Sequence, residues 1–118
     1  MYFLLFVLHE PEFCDEVMTA WEKSGVKGIT ILPSTGVNRM SKRGLLEDMP
    51  LMPSLEDFFN SHEIGNRTLF TIVESEEIID QVVEATENIV GKLDQPNTGI
   101  IIVLPVIKSY GLKKNYKA

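Results

Sequence analysis

The chain has 118 residues, 44% of them hydrophobic and 24% charged, with a formal net charge of -6. That length suits one domain around one core, and the acidic balance excludes general affinity for nucleic acid, whose phosphates need a basic face. A single cysteine, Cys14, excludes an intrachain disulfide and points to a reducing cytoplasm, while no apolar run approaches the ~18 residues of a membrane span.

Tyr2 to Leu8 is a short, fully apolar run that reads as a strand covered on both faces. It is not a secretory leader: a positive flank is lacking, and His9, Glu10 and Glu12 follow at once. Pro11 suits a first helical position, with Glu10, Glu12, Asp15 and Glu16 at the positive end of the helix dipole. Phe13, Val17 and Trp21 recur every four residues beside Cys14 and Met18, which makes one apolar stripe. Gly25 suits the stop, so the first helix is predicted over Pro11 to Ser24.

The stretch Val26 to Arg39, VKGITILPSTGVNR, is the pivot of the chain. Val26 to Leu32 reads as a second strand, stopped by Pro33, which cannot donate to a ladder. Ser34, Thr35 and Gly36 are turn formers. They open a long polar segment, 37–66, without a clean period. Loops beyond ~12–15 residues are uncommon in compact domains unless functional or disordered. This one carries Leu45, Leu46, Met49, Leu51, Met52, Leu55, Phe58 and Phe59, which either pack beneath the loop or meet a partner. Ser54 is a candidate cap for one helical turn, with Asp57 three residues on.

Arg67 to Val73 reads as a third strand, rich in β-branched and aromatic residues. Ser75 caps a predicted second helix reaching Val90, with Glu76 and Glu77 in its first turn and Gly91 as its stop. Ile78, Val82, Ala85 and Ile89 form its inner line, joined by Ile79, Val83 and Val90. Asp94 to Gly99 is a dense turn cluster, and Ile100 to Leu104 is the fourth strand, ended or marked as an edge by Pro105. The tail from 107 to 118 is locally basic through Lys108, Lys113, Lys114 and Lys117, and reads as solvated.

The order β-α-β, long loop, β-α-β predicts an α+β, ferredoxin-like split βαβ fold over 1–118, with a four-stranded antiparallel sheet. Right-handed crossovers put both helices on one face. Because the first and fourth strands are apolar at every position, both sheet faces are apolar; the face without helices needs a partner, and another copy of the chain is the simplest one.

The residues Gly28-Ile29-Thr30-Ile31, followed by Gly36-Val37-Asn38-Arg39, resemble the PII-type nitrogen regulatory signal proteins and their PII-like relatives. That family has a Gly-Met-Thr-Val strand and a Gly-x-Gly-Arg-Gln base to its mobile T-loop. Gly91-Lys92-Leu93 and Gly99 are similar to the family loop that clasps a nucleotide. The resemblance spans about Met1 to Val106. It implies a homotrimer that binds adenine nucleotide (ATP, ADP or AMP) between subunits as effector, with no required cofactor. It also implies relay through the 37–66 loop to a membrane transporter or enzyme.

The chain departs from the family pattern at Met40, at Asn38, at Ile100 where a phosphate-gripping lysine stands, and in lacking the paired C-terminal arginines. The turn before Ile100 is about three residues longer than the family's. No tyrosine lies between Tyr2 and Tyr110, so the modified T-loop tyrosine is absent. Fewer phosphate-binding cations imply a divergent member and a ligand with less phosphate, or a different small molecule.

The resemblance carries the nucleotide-binding candidates Thr30, Gly36, Val37, Asn38, Arg39, Lys92, Thr98 and Gly99. Gly36 otherwise reads as a turn glycine with positive φ, and Arg39 as a surface charge that can also grip phosphate bidentately. Thr30 reads as a strand residue, Thr98 and Gly99 as turn residues that can offer a hydroxyl and N–H groups to an anion, and Lys92 as a cation at a helix end. His9 and His62 lack metal-ligand spacing. No nucleophile with its base, and no carboxylate pair in a defined cleft, is legible, so a non-enzymatic role is expected. Two alternatives stay open: a small ferredoxin-like enzyme or oxygenase, and a metal-binding trimer of the divalent-cation tolerance type.

Overall fold

The computed structural model describes residues 1–36 and 65–112. Expectations for the loop, including Ser54 and the site candidates Val37, Asn38 and Arg39, lie outside the described residues, as does the end of the tail.

The elements are β1 (Tyr2–Leu8), a 3-10 turn (Pro11–Phe13), α1 (Cys14–Lys23), β2 (Thr30–Ser34), β3 (Asn66–Val73), α2 (Glu76–Val90) and β4 (Ile100–Pro105). They form a four-stranded antiparallel sheet in the order β2-β3-β1-β4. This small α+β arrangement is compatible with a ferredoxin-like fold.

The helices cover one sheet face. Leu4, Phe6 and Leu8 of β1 and Leu69 of β3 are fully buried there with Val17 and Trp21 of α1 and Val82 of α2. The Phe6 and Trp21 rings lie 6.2 Å apart, tilted. Ser75 caps α2 as its sequence predicts, its Oγ accepting from the Ile78 N–H at 3.3 Å. Gly25 and Gly91 both follow helices with positive φ, the backbone state that makes glycine the usual stop.

Three features differ from those the sequence predicts. The first helix begins as a 3-10 turn, and the α-helix runs only from Cys14 to Lys23. The inner line of α2 passes through Thr86 rather than Ala85: Thr86 is fully buried. The cause is the Trp21 indole, whose Nε1–H donates to Thr86 Oγ1 at 2.9 Å, while Thr86 donates onward to the Val82 carbonyl at 2.7 Å. A buried N–H needs an acceptor, and alanine has none to offer.

The third difference is β2, which runs from Thr30 to Ser34 rather than from Val26 to Leu32. Val26 donates to the Trp21 carbonyl, and the Gly28 carbonyl accepts from the buried Thr71 hydroxyl. Those groups are satisfied outside the ladder, so pairing begins later. At the other end Pro33 stays in the strand, opposite Arg67. β2 has a neighbour on one side only, and proline is tolerated where its missing donor faces outward. Pro105, opposite Tyr2, sits in the other edge strand in the same way.

The second face is open, as the apolar patterning predicts. It carries Phe3, Leu5 and Val7 of β1 beside Phe70 and Ile72 of β3, with Phe3 and Phe70 at 5.5 Å between ring centres. At its edges Leu32 is 49% exposed, and Ile100, Ile102 and Leu104 are about half exposed. Thr30, Ser34, Asn66 and Thr68 complete the thirteen strand positions of this face, and none carries a charge.

Candidate functional site

Register decides where the candidate residues lie. Leu8 ends β1 beside Arg67, Ser34 ends β2 beside Asn66, and Ile100 begins β4 beside Val7. One end of the sheet therefore holds both the base of the long loop and the loop between α2 and β4. The two lie on opposite edges, however. The strands β3 and β1 stand between them, so three strand spacings separate the edges by roughly 14 Å.

On the β2 edge, Ser34 Oγ and Thr68 Oγ1 share a hydrogen bond of 2.8 Å. Arg67 donates to the Asn66 carbonyl at 3.1 Å, which holds the guanidinium at this end. Gly36 lacks the positive φ expected of a turn glycine, and its nearest neighbour, Asn66 Nδ2, would be 3.9 Å from an added Cβ. Among the described residues nothing in the fold requires glycine here. Thr30 is not at this end: it pairs with Phe70 near mid-sheet, exposed on the open face.

On the β4 edge, the loop after Gly91 is built from its own hydrogen bonds. Glu87 Oε2 accepts from the Leu93 N–H at 2.9 Å, Gln95 N–H donates to the Lys92 carbonyl at 3.0 Å, and Thr98 Oγ1 donates to the Gln95 carbonyl at 2.9 Å. No sequence signal marked Glu87 for this role, because the loop bends back six residues to reach it. Lys92 remains exposed. Gly99 has φ +128°, and a Cβ there would run into the Phe6 ring and come within 2.7 Å of the Val7 carbonyl. The fold alone accounts for that glycine. Ile100, at the place of the family lysine, presents its side chain to the open sheet face.

Cys14, at the start of α1, has its thiol pKa pushed up by burial and by Asp15, against a smaller opposing effect of Arg67. Two shallow grooves of about 300 and 390 Å³ lie elsewhere, on the outer surface of the helices around Ala20 and Lys23. Among the described residues no three His, Cys, Asp or Glu side chains converge as a metal site, and no helix is long and apolar enough to cross a membrane.

The fold and this sheet end define a small α+β protein whose candidate site is divided between two sheet edges. No family model and no curated protein matches the chain.

Proposed function

We propose that the chain is a divergent PII-like signalling protein: a homotrimer that binds an adenine nucleotide between subunits and relays its presence through the 37–66 loop. The observation that carries this reading is the division of the candidate residues. Gly36 and the loop base lie on the β2 edge, and Lys92, Thr98 and Gly99 on the β4 edge of the same sheet end. One copy leaves them roughly 14 Å apart. A β2 edge set beside a neighbour's β4 edge brings them together, so such a site is complete only between copies. The uncharged, apolar open face supports self-association through that face as well.

The relay is a population shift: a ligand that prefers one loop state moves the loop toward it, and a transporter or enzyme reads the change. With Ile100 in place of a cation, a nucleotide with fewer phosphates is the expected effector.

Isothermal titration calorimetry of the full chain against ATP, ADP, AMP and cyclic adenine nucleotides tests the reading. Expected is binding near one ligand per chain, weakened in the Arg39→Ala and Lys92→Ala variants. Absence of heat with every nucleotide overturns the nucleotide assignment, and unchanged affinity in both variants overturns the site.

A further inference from the structure

We infer that the segment Val106–Leu112 is an arm that completes the contact between copies by packing on the neighbour's open sheet face. This rests on the self-association proposed above. The segment follows β4 without regular structure, yet it carries the two most exposed large apolar side chains among the described residues, Ile107 at 92% and Tyr110 at 89%, and adds the half-exposed Leu112. Its root is held in place. The Val106 N–H donates to the Met1 carbonyl at 3.1 Å, and the Ser109 hydroxyl lies 3.6 Å from Met1 Sδ. An arm fixed at its root loses less freedom on docking than a free tail.

Area argues that the arm is needed. Four strands spaced at about 4.8 Å, each presenting about six residues at ~3.4 Å, give the open face a footprint of roughly 400 Å². A standard interface takes about 800 Å² from each partner. The sheet face falls short by about half, and further when two neighbours share it. A covered tyrosine removes about 150–250 Å² from water, and Ile107 and Leu112 extend the same apolar surface, so the arm supplies an area of the missing order.

Charge argues that the occupant is a second copy. The open face has no charged residue at its thirteen strand positions. The helical segments carry nine acids, four between Pro11 and Lys23 and five on α2, against one cation of their own, Lys23. Copies meeting through sheet and arm keep these acidic layers on the outside. Stacked sheets are about 10 Å apart, and each helix layer adds a similar distance, so the acids stand beyond the ~8 Å screening length of physiological salt.

Sedimentation equilibrium and light scattering on the full chain test this, with a double variant Ile107→Ser/Tyr110→Ser and a sheet-face variant Ile102→Asp. Both arm side chains are exposed in one copy, so the double variant should keep the wild-type circular dichroism. Expected is an oligomeric wild type, an arm variant whose dissociation constant rises about a hundredfold or more as its apolar area is lost, and a dissociated Ile102→Asp. A wild-type oligomer whose dissociation constant is unmoved by the arm variant overturns the arm and leaves the sheet-face contact standing. A wild type that is monomeric at high concentration overturns the self-association itself, and the arm with it.

Discussion

The bond between Trp21 and Thr86 joins the two helices, and its removal has a calculable cost. Thr86→Val preserves the branched shape but takes away the acceptor of an indole N–H in a site with 0% exposure. A buried donor without a partner costs about 1–3 kcal/mol, so a loss of about 2 kcal/mol is expected. Trp21→Phe removes the donor and part of the ring; the smaller side chain leaves a void and costs about 2 kcal/mol by the same order of reasoning. It leaves Thr86 satisfied through the Val82 carbonyl. In the double variant no donor is orphaned, so the combined loss should fall short of the sum by about 1 kcal/mol. With a urea m-value of about 1.5 kcal/mol/M, Thr86→Val lowers the midpoint by about 1.3 M. Urea titrations of the four proteins at one fixed concentration give the cycle, since the proposed self-association would make stability depend on concentration. Additive losses, within about 0.3 kcal/mol, would refute the claim that this bond couples α1 to α2.

Four further outcomes follow from single residues. Gly99→Ala forces an L-residue into positive φ and against Phe6 and the Val7 carbonyl, and should cost about 3 kcal/mol in urea denaturation; Gly36→Ala, with room and an ordinary φ, should stay within about 0.5 kcal/mol while weakening nucleotide binding. Ser75→Ala should cost about 1 kcal/mol through loss of the cap on Ile78, read as a lower denaturation midpoint. For Cys14 the folded thiol keeps its proton at pH values where the unfolded one, with an ordinary value of 9.0, begins to lose it. Stability from this group is full below the unfolded value and declines as pH rises through it toward the folded one. Urea midpoints from pH 7.5 to 9.5 should therefore fall more in wild type than in Cys14→Ser, and parallel curves would contradict the assignment.

Periodicity and punctuation in the sequence determined the elements of this protein. Strands β1 and β4 are short apolar runs, β3 is a run rich in β-branched and aromatic residues, and the helices are stripes bounded by Pro11, Gly25, Ser75 and Gly91, all signals set by the chain within a few residues of itself. The same patterning determined that one sheet face would be apolar and uncovered. Tertiary structure decided what depends on partners distant in sequence. Thr71 takes up the Gly28 carbonyl 43 residues away and delays the start of β2. Trp21 reaches 65 residues to draw Thr86 into the core. Gly36 and Gly99 look alike as turn glycines in a string of letters, yet only Gly99 is required by crowding, because only the folded sheet sets Phe6 and Val7 against it. The candidate site was legible as two fragments of sequence. Their separation onto opposite edges of one sheet end came from strand order, which no local pattern encodes, since pairing is settled by which distant surfaces bury one another.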